Sequence, residues 1–129
     1  MTHAPIESIL HAFESAAARN DADAILALFA PDATVESPLV ARVFSRTEAV
    51  ARGHAEIRLL LRAFEKRGRP WGGHEPPIIR GNTAAIEYRD ASDREKFSVD
   101  IIEVRDGLIQ SLRAYVGWRA LASLTEPRE

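Results

Sequence analysis

Apolar residues in the first third of the chain recur at helical spacing. Ile6, Ile9, Leu10, Phe13 and Ala17 follow an i, i+3, i+4, i+7 pattern, and Pro5 stands where a first helical turn tolerates it. This predicts a first helix running out near Asn20. Asp21 is placed to cap a second, shorter helix whose apolar side is Ile25, Leu28 and Phe29, with Pro31-Asp32 ending it. Ala33 to Ser37 alternates as a short strand stopped by Pro38. Residues 39–53 carry no clear period. Ser45 to Glu48 fits a capping box, yet Gly53 breaks the helix that would follow, so the stretch reads as a loop holding at most a helical turn. From His54 the period returns. Ile57, Leu60, Leu61 and Phe64 share one side, Arg58, Arg62, Glu65 and Lys66 the other, and Gly68 stops this third helix.

The remainder reads as strands. Arg67 to Pro77 is dense in Gly and Pro and forms a connecting loop, with Trp71 as its large apolar group folded back onto the body. Ile78 and Ile79 make a short strand, Gly81-Asn82 a turn, and Thr83 to Asp90 a strand with Ala84, Ile86, Tyr88 and Asp90 on one face. Lys96 to Trp118 then holds two long β-favouring segments around Asp106-Gly107, a strong hairpin signal. Strand alternation puts Ser98, Asp100, Ile102 and Val104 on one face of the first arm. On the second arm it groups Leu108, Gln110, Leu112, Ala114, Val116 and Trp118 against Ile109, Ser111, Arg113 and Tyr115. After Trp118 a tail with one short helical turn frays. Helices first and an antiparallel meander afterwards, with one early strand between, is an α+β order. One residue breaks the pattern: Asp100 shares its face with Ile102 and Val104, where an unpaired carboxylate is expensive to bury and its pKa rises.

Composition narrows the function classes. The chain has 129 residues, 46% hydrophobic and 28% charged, which fits one globular domain over 1–129. A net charge of −2, with basic and acidic residues interspersed, gives no footprint for nucleic acid or an anionic membrane surface. The absence of cysteine removes thiolate chemistry and zinc–sulfur sites. His3, His11, His54 and His74 lack i, i+3 or i, i+4 partners, so neither a metal nor another cofactor is expected, and none of the four is given a role. The start, MTHAPIESILHAF, lacks the basic and apolar regions of a secretory signal, and the expectation is a soluble cytoplasmic protein.

The helix followed by DADAILALFAPDATVESP, a further helix, and strands ending in VDIIEVRDGLIQSLRAY resembles the nuclear transport factor 2-like superfamily, and within it the SnoaL-like and ketosteroid-isomerase-like branch. The resemblance implies a cone-shaped, curved antiparallel (mixed) sheet wrapped around the N-terminal helices, an apolar pocket at its wide end, and a homodimer through the sheet's outer face. In ketosteroid isomerases an aspartate base follows a stretch like Ala33–Glu36, and here Ser37 takes that place. Their oxyanion tyrosine falls on Phe13, which has no hydroxyl, and their protonated aspartic acid falls on Asp100. The SnoaL-like cyclases use an acid at a position like Asp100 to move a proton on a polyketide carbon. The Asp-Arg-Asp set of the limonene-epoxide-hydrolase branch falls on Asp90, Tyr88 and Ala114, retaining the first.

These faces together give an expected pocket wall of Phe13, Ser37, Tyr88, Asp90, Asp100, Ile102, Leu112 and Ala114, with Trp71 or Trp118 toward the rim. Such a wall suits a small hydrophobic molecule. Tyr88 serves either as packing or as a second donor to the ligand, and Ser37 as a polar wall residue. Arg113 and Glu103 are placed to pair across the outer face, where Val99, Ile101, Ile109 and Tyr115 add apolar surface. Two readings stay open: a cofactor-free isomerase, cyclase or lyase with Asp100 as general acid/base on a carbonyl compound, and a non-catalytic ligand-binding or structural dimer.

Overall fold

The computed structural model describes residues 4–67, 74–90, 93 and 95–125. Helix α1 (Ile6–Ala18) begins after Pro5 and buries Ile6, Ile9, Leu10 and Ala16. Asp21 caps α2 (Ala22–Leu26), its side chain accepting from the Ala24 N–H at 3.0 Å. The first strand starts earlier than the periodicity predicts. β1 (Phe29–Glu36) takes in Phe29, which is buried facing the core instead of completing the apolar side of α2.

Residues 39–53 are more ordered than the sequence reading has it. Pro38 stops the strand and also opens α3 (Pro38–Phe44) from its first turn, with the Ser37 hydroxyl accepting from the Leu39 N–H at 3.2 Å. Ser45 is the left-handed C-cap of that helix, φ 51°, and not the start of another. β2 (Val50–Arg52) then pairs antiparallel with β1. Arg46 closes this corner with bonds from Nη2 to the Val50 carbonyl at 2.6 Å and to Glu56 Oε1 at 3.0 Å. Helix α4 (Gly53–Arg67) lies against β1 and α2, burying Ile57 and Leu60. Among the described residues no helix is long and apolar enough to cross a membrane.

The meander is β3 (Ile78–Arg80), β4 (Thr83–Arg89), β5 (Phe97–Arg105) and β6 (Leu108–Val116), followed by α5 (Trp118–Thr125), which is longer than the expected turn. Six strands form one sheet in the order β2-β1-β6-β5-β4-β3. The β1–β6 pair is parallel and the others antiparallel, so this is a mixed α+β fold with a curved open sheet. Arg105 pairs with Leu108 across a two-residue turn in which Asp106 and Gly107 both take positive φ, 52° and 77°. That is the turn geometry whose twist matches the strands it joins.

One face assignment is corrected. Glu103 pairs with Ser111 and Val104 with Ile109, leaving Gln110 without a partner on β5. This extra residue reverses the side-chain parity, so Ile109 is fully buried and not on the outer face. β1 is irregular at the same level, between Phe29 and Thr34, and the Gln110 amide donates to Asp32 Oδ1 at 3.1 Å across the two irregularities. The pairing of Arg113 with Glu103 on the outer face is present, at 3.3 Å.

Candidate functional site

The inner face of the sheet carries a row set by register. Ile86 on β4 pairs with Asp100 on β5, and Asp100 pairs with Ala114 on β6. The next step of the β1–β6 register, after Glu36↔Arg113, brings in Ser37. One row deeper, Ala84, Ile102, Leu112 and Val35 are buried in the core. On the other side Tyr88 pairs with Ser98 and lies diagonal to Asp100 on the same face.

Helix α1 reaches this end of the sheet with Glu14. Phe13 packs toward the core, its ring centroid 6.4 Å from that of Phe29. The Tyr88 hydroxyl donates to Glu14 Oε1 at 3.3 Å, and His74 Nε2 stands 3.1 Å from the same oxygen. The His74 ring lies 5.5 Å from the Tyr88 ring, held there by an isolated backbone bridge between the two residues. Its other nitrogen, Nδ1, is 2.7 Å from the Glu75 carbonyl oxygen. Since that oxygen can only accept, Nδ1 carries a hydrogen and Nε2 is the nitrogen presented to Glu14.

Asp100 is part-buried, and no described residue donates a hydrogen bond to its carboxyl. Burial pushes its pKa from the ordinary 3.8 up to about 7, and the negative charge of Glu14 adds to the rise. With no donor to stabilise the carboxylate, desolvation wins. Near neutral pH the group is therefore divided between acid and carboxylate, the condition in which it can both give and take a proton. Among the described residues no three His, Asp or Glu side chains converge as metal ligands.

A family model described as a SnoaL-like domain matches residues 10–112. The chain belongs to the SnoaL-like domain family. Solved structures share its fold. A SnoaL-like protein of unknown function from Burkholderia thailandensis superposes with a TM-score of 0.72 at 17% identity, covering 87% of this chain and 93% of that one. A candidate polyketide cyclase from Sinorhizobium meliloti gives 0.65 at 21% identity, covering 84% and 94%. TerC co-crystallized with polyporic acid gives 0.70 at 17% identity, covering 96% and 100%. Among curated proteins none matches.

Against this SnoaL-like frame, the expected wall residues separate into groups. Asp100, Tyr88 and Ala114 share one end of the inner face, whereas Phe13 on α1 packs against Phe29, which is in register with Ile109. Ile102 and Leu112 sit deeper, inside the packed core. Ser37 stands beside Ala114 but its hydroxyl is committed to capping α3. Asp90 lies past the end of β4, where its backbone N–H donates to the Lys96 carbonyl at 3.1 Å and its carbonyl accepts from Asp93. Trp118 opens α5 beyond the end of β6, where the strand alternation stops at Val116, and is 77% exposed. Trp71 lies outside the described residues.

Two residues of the cluster escape the sequence reading. Glu14 follows Leu10 by four and precedes Ala17 by three, so it sits on the apolar stripe of α1. The criterion that singles out Asp100, a carboxylate on an apolar face, applies equally to it. His74, given no role from sequence, contacts Glu14 through a bridge to β4 that no local spacing reveals.

Proposed function

We propose that this SnoaL-like protein binds a small hydrophobic carbonyl compound in an apolar pocket against Asp100 and moves a proton on it without a cofactor, as an isomerase, cyclase or lyase. The observation that carries this reading is Asp100 itself: a carboxyl on the inner sheet face, without a described donor, holding its proton to about pH 7. In its neutral form the group donates to the ligand's carbonyl oxygen as negative charge develops there. Ala114 opposite it contributes only a methyl group, leaving room beside the carboxyl. The names of the fold's neighbours, a candidate polyketide cyclase and a protein crystallized with polyporic acid, support a carbonyl-bearing ligand.

The test is binding of 4-nitrophenol, whose oxygen stands in for an enolate and whose absorbance reports its ionisation. The expected result is saturable binding by the native chain, weakened at least about tenfold by Asp100→Leu, equivalent to about 1.4 kcal/mol. Equal binding by both proteins refutes the role of Asp100.

Ser37 and Phe13 favour a second reading. Because neither can serve as the base or hydroxyl donor of the isomerase-like branch, the pocket would hold a ligand without turnover. Under either reading the outer sheet face, with Ile101, Val99 and the exposed Tyr115 beside the Glu103–Arg113 pair, is covered by a second copy of the chain. A two-fold arrangement lets each copy's acidic and basic partners face their opposites.

A further inference from the structure

We propose that Glu14 is the second acid–base group of this site, the base that takes a proton from carbon while Asp100 serves the carbonyl oxygen, with Tyr88 and His74 as its positioning residues. The inference rests on the reading of Asp100 given above and supplies what that reading lacks. A neutral acid can stabilise an enol but cannot remove a proton from carbon, and Ser37, at the place of the isomerases' base, is engaged as a helix cap.

The geometry favours Glu14 in two ways. It comes from α1 while Asp100 comes from β5, so the two carboxyl groups approach the same end of the inner face from different layers. Its Oε1 accepts from the Tyr88 hydroxyl at 3.3 Å and has His74 Nε2 at 3.1 Å, an ion pair when the ring carries both protons, so the carboxyl group is placed by contacts from β4 and from the segment before β3. A base held in this way is ready without rearrangement.

The step balances within the site. Glu14 takes a proton from the carbon next to the carbonyl, the C–H electron pair becomes the new C=C bond, and the carbonyl π pair takes the Asp100 proton. Reversal returns that proton to Asp100 and delivers the one on Glu14 to the same or a conjugated carbon. No oxidant or co-reactant is consumed.

The experiment follows exchange of α-protons for deuterium by NMR in D2O with 2-cyclohexenone and 2-tetralone as probes, beside 4-nitrophenol binding. The native chain is expected to accelerate exchange of at least one ketone. Glu14→Gln should slow it about 100-fold while the variant still binds 4-nitrophenol, and Glu14→Asp should recover part of the rate. Tyr88→Phe and His74→Gln should lower kcat with KM little changed while each chain still binds one 4-nitrophenol, because partial unfolding would lower kcat and the binding stoichiometry together. Unchanged exchange in Glu14→Gln, or no exchange of either ketone by a native chain that binds 4-nitrophenol, overturns Glu14 as the base and leaves the Asp100 reading standing. Failure of the native chain to bind 4-nitrophenol removes both.

Discussion

Replacing Asp100 with Asn should change how stability depends on pH, and the sign follows from linkage. The folded pKa is raised from 3.8 to about 7, so between these values the folded chain keeps a proton that the unfolded chain has released. Stability therefore contains a favourable contribution that is full below about pH 4, declines as pH rises, and is gone above about pH 7. A rise of about 3 in pKa, at about 1.4 kcal/mol each, sets a ceiling near 4 kcal/mol, and because part of the residue stays accessible about 2 to 4 kcal/mol is expected. Asn has nearly the same shape and carries no charge at any pH. Urea unfolding of both proteins at pH 4, 6 and 8 should show the Asn variant gaining by that amount, relative to native, between the two extremes. Using the difference removes the titration of groups common to both chains. Among the described residues, Glu14 from α1 is the charge that acts on Asp100, while Tyr88 from β4 and Ser98 from β5 are polar neighbours on its sheet face. Repeating the comparison in a Glu14→Gln background should shrink the difference but leave most of it, since burial outranks the Glu14 charge as its cause. A difference that does not vary with pH refutes the placement of this carboxyl in a desolvated site.

The other predictions address the scaffold and the assembly. Glu56 is held at a pKa of about 2, chiefly by its hydrogen bond from Arg46 and then by the Arg52 N–H, so its contribution is present above about pH 4.5 and lost as pH falls toward 2. Circular dichroism across that window should show a shallower acid transition for Glu56→Gln than for native. Ser37→Ala removes the α3 cap and should cost about 1 kcal/mol in urea unfolding while 4-nitrophenol affinity stays within about threefold, which separates a cap from a wall that binds ligand. Ile102→Ala, in the fully buried centre of the sheet, should cost about 2 to 5 kcal/mol by the same measurement. Ile101→Asp on the outer face should convert a dimer to a monomer in sedimentation velocity; an unchanged sedimentation coefficient counts against that face as the interface.

How much was legible in the sequence depended on whether the determining interactions were local. The Asp106-Gly107 hairpin needed only two residues able to take positive φ between alternating arms, and its position and turn are as read. Helix α4 had enough turns to display its period. Helix α3 did not: seven residues show barely two turns of pattern, and its start signal, Ser37 followed by Pro38, was read only as the end of a strand. The same dipeptide does both jobs, since a proline that ends sheet pairing is also preorganised for a first helical turn. Ile109 was turned the wrong way because alternation counts residues, while a bulge at Gln110 adds one that no pair accounts for.

The site divides along the same line. Asp100 was visible because a carboxylate within a run of apolar strand residues conflicts with its surroundings at the level of sequence, and such conflicts concentrate where chemistry is done. Glu14 presents the same conflict on a helix, but a stripe at i, i+3, i+4 spacing has blurred edges, and its carboxylate passes for the flank of the apolar face. Contacts from Tyr88 and His74, residues 74 and 60 positions further along, mark it as part of the site. That separation has a mechanical consequence. The strand residue that gives Asp100 its environment is fixed by the sheet, whereas Glu14 depends on α1 keeping its seat against β4. With the stoichiometry of 4-nitrophenol binding undiminished, the predicted loss of kcat in Tyr88→Phe reports the orientation of Glu14 and not the integrity of the sheet.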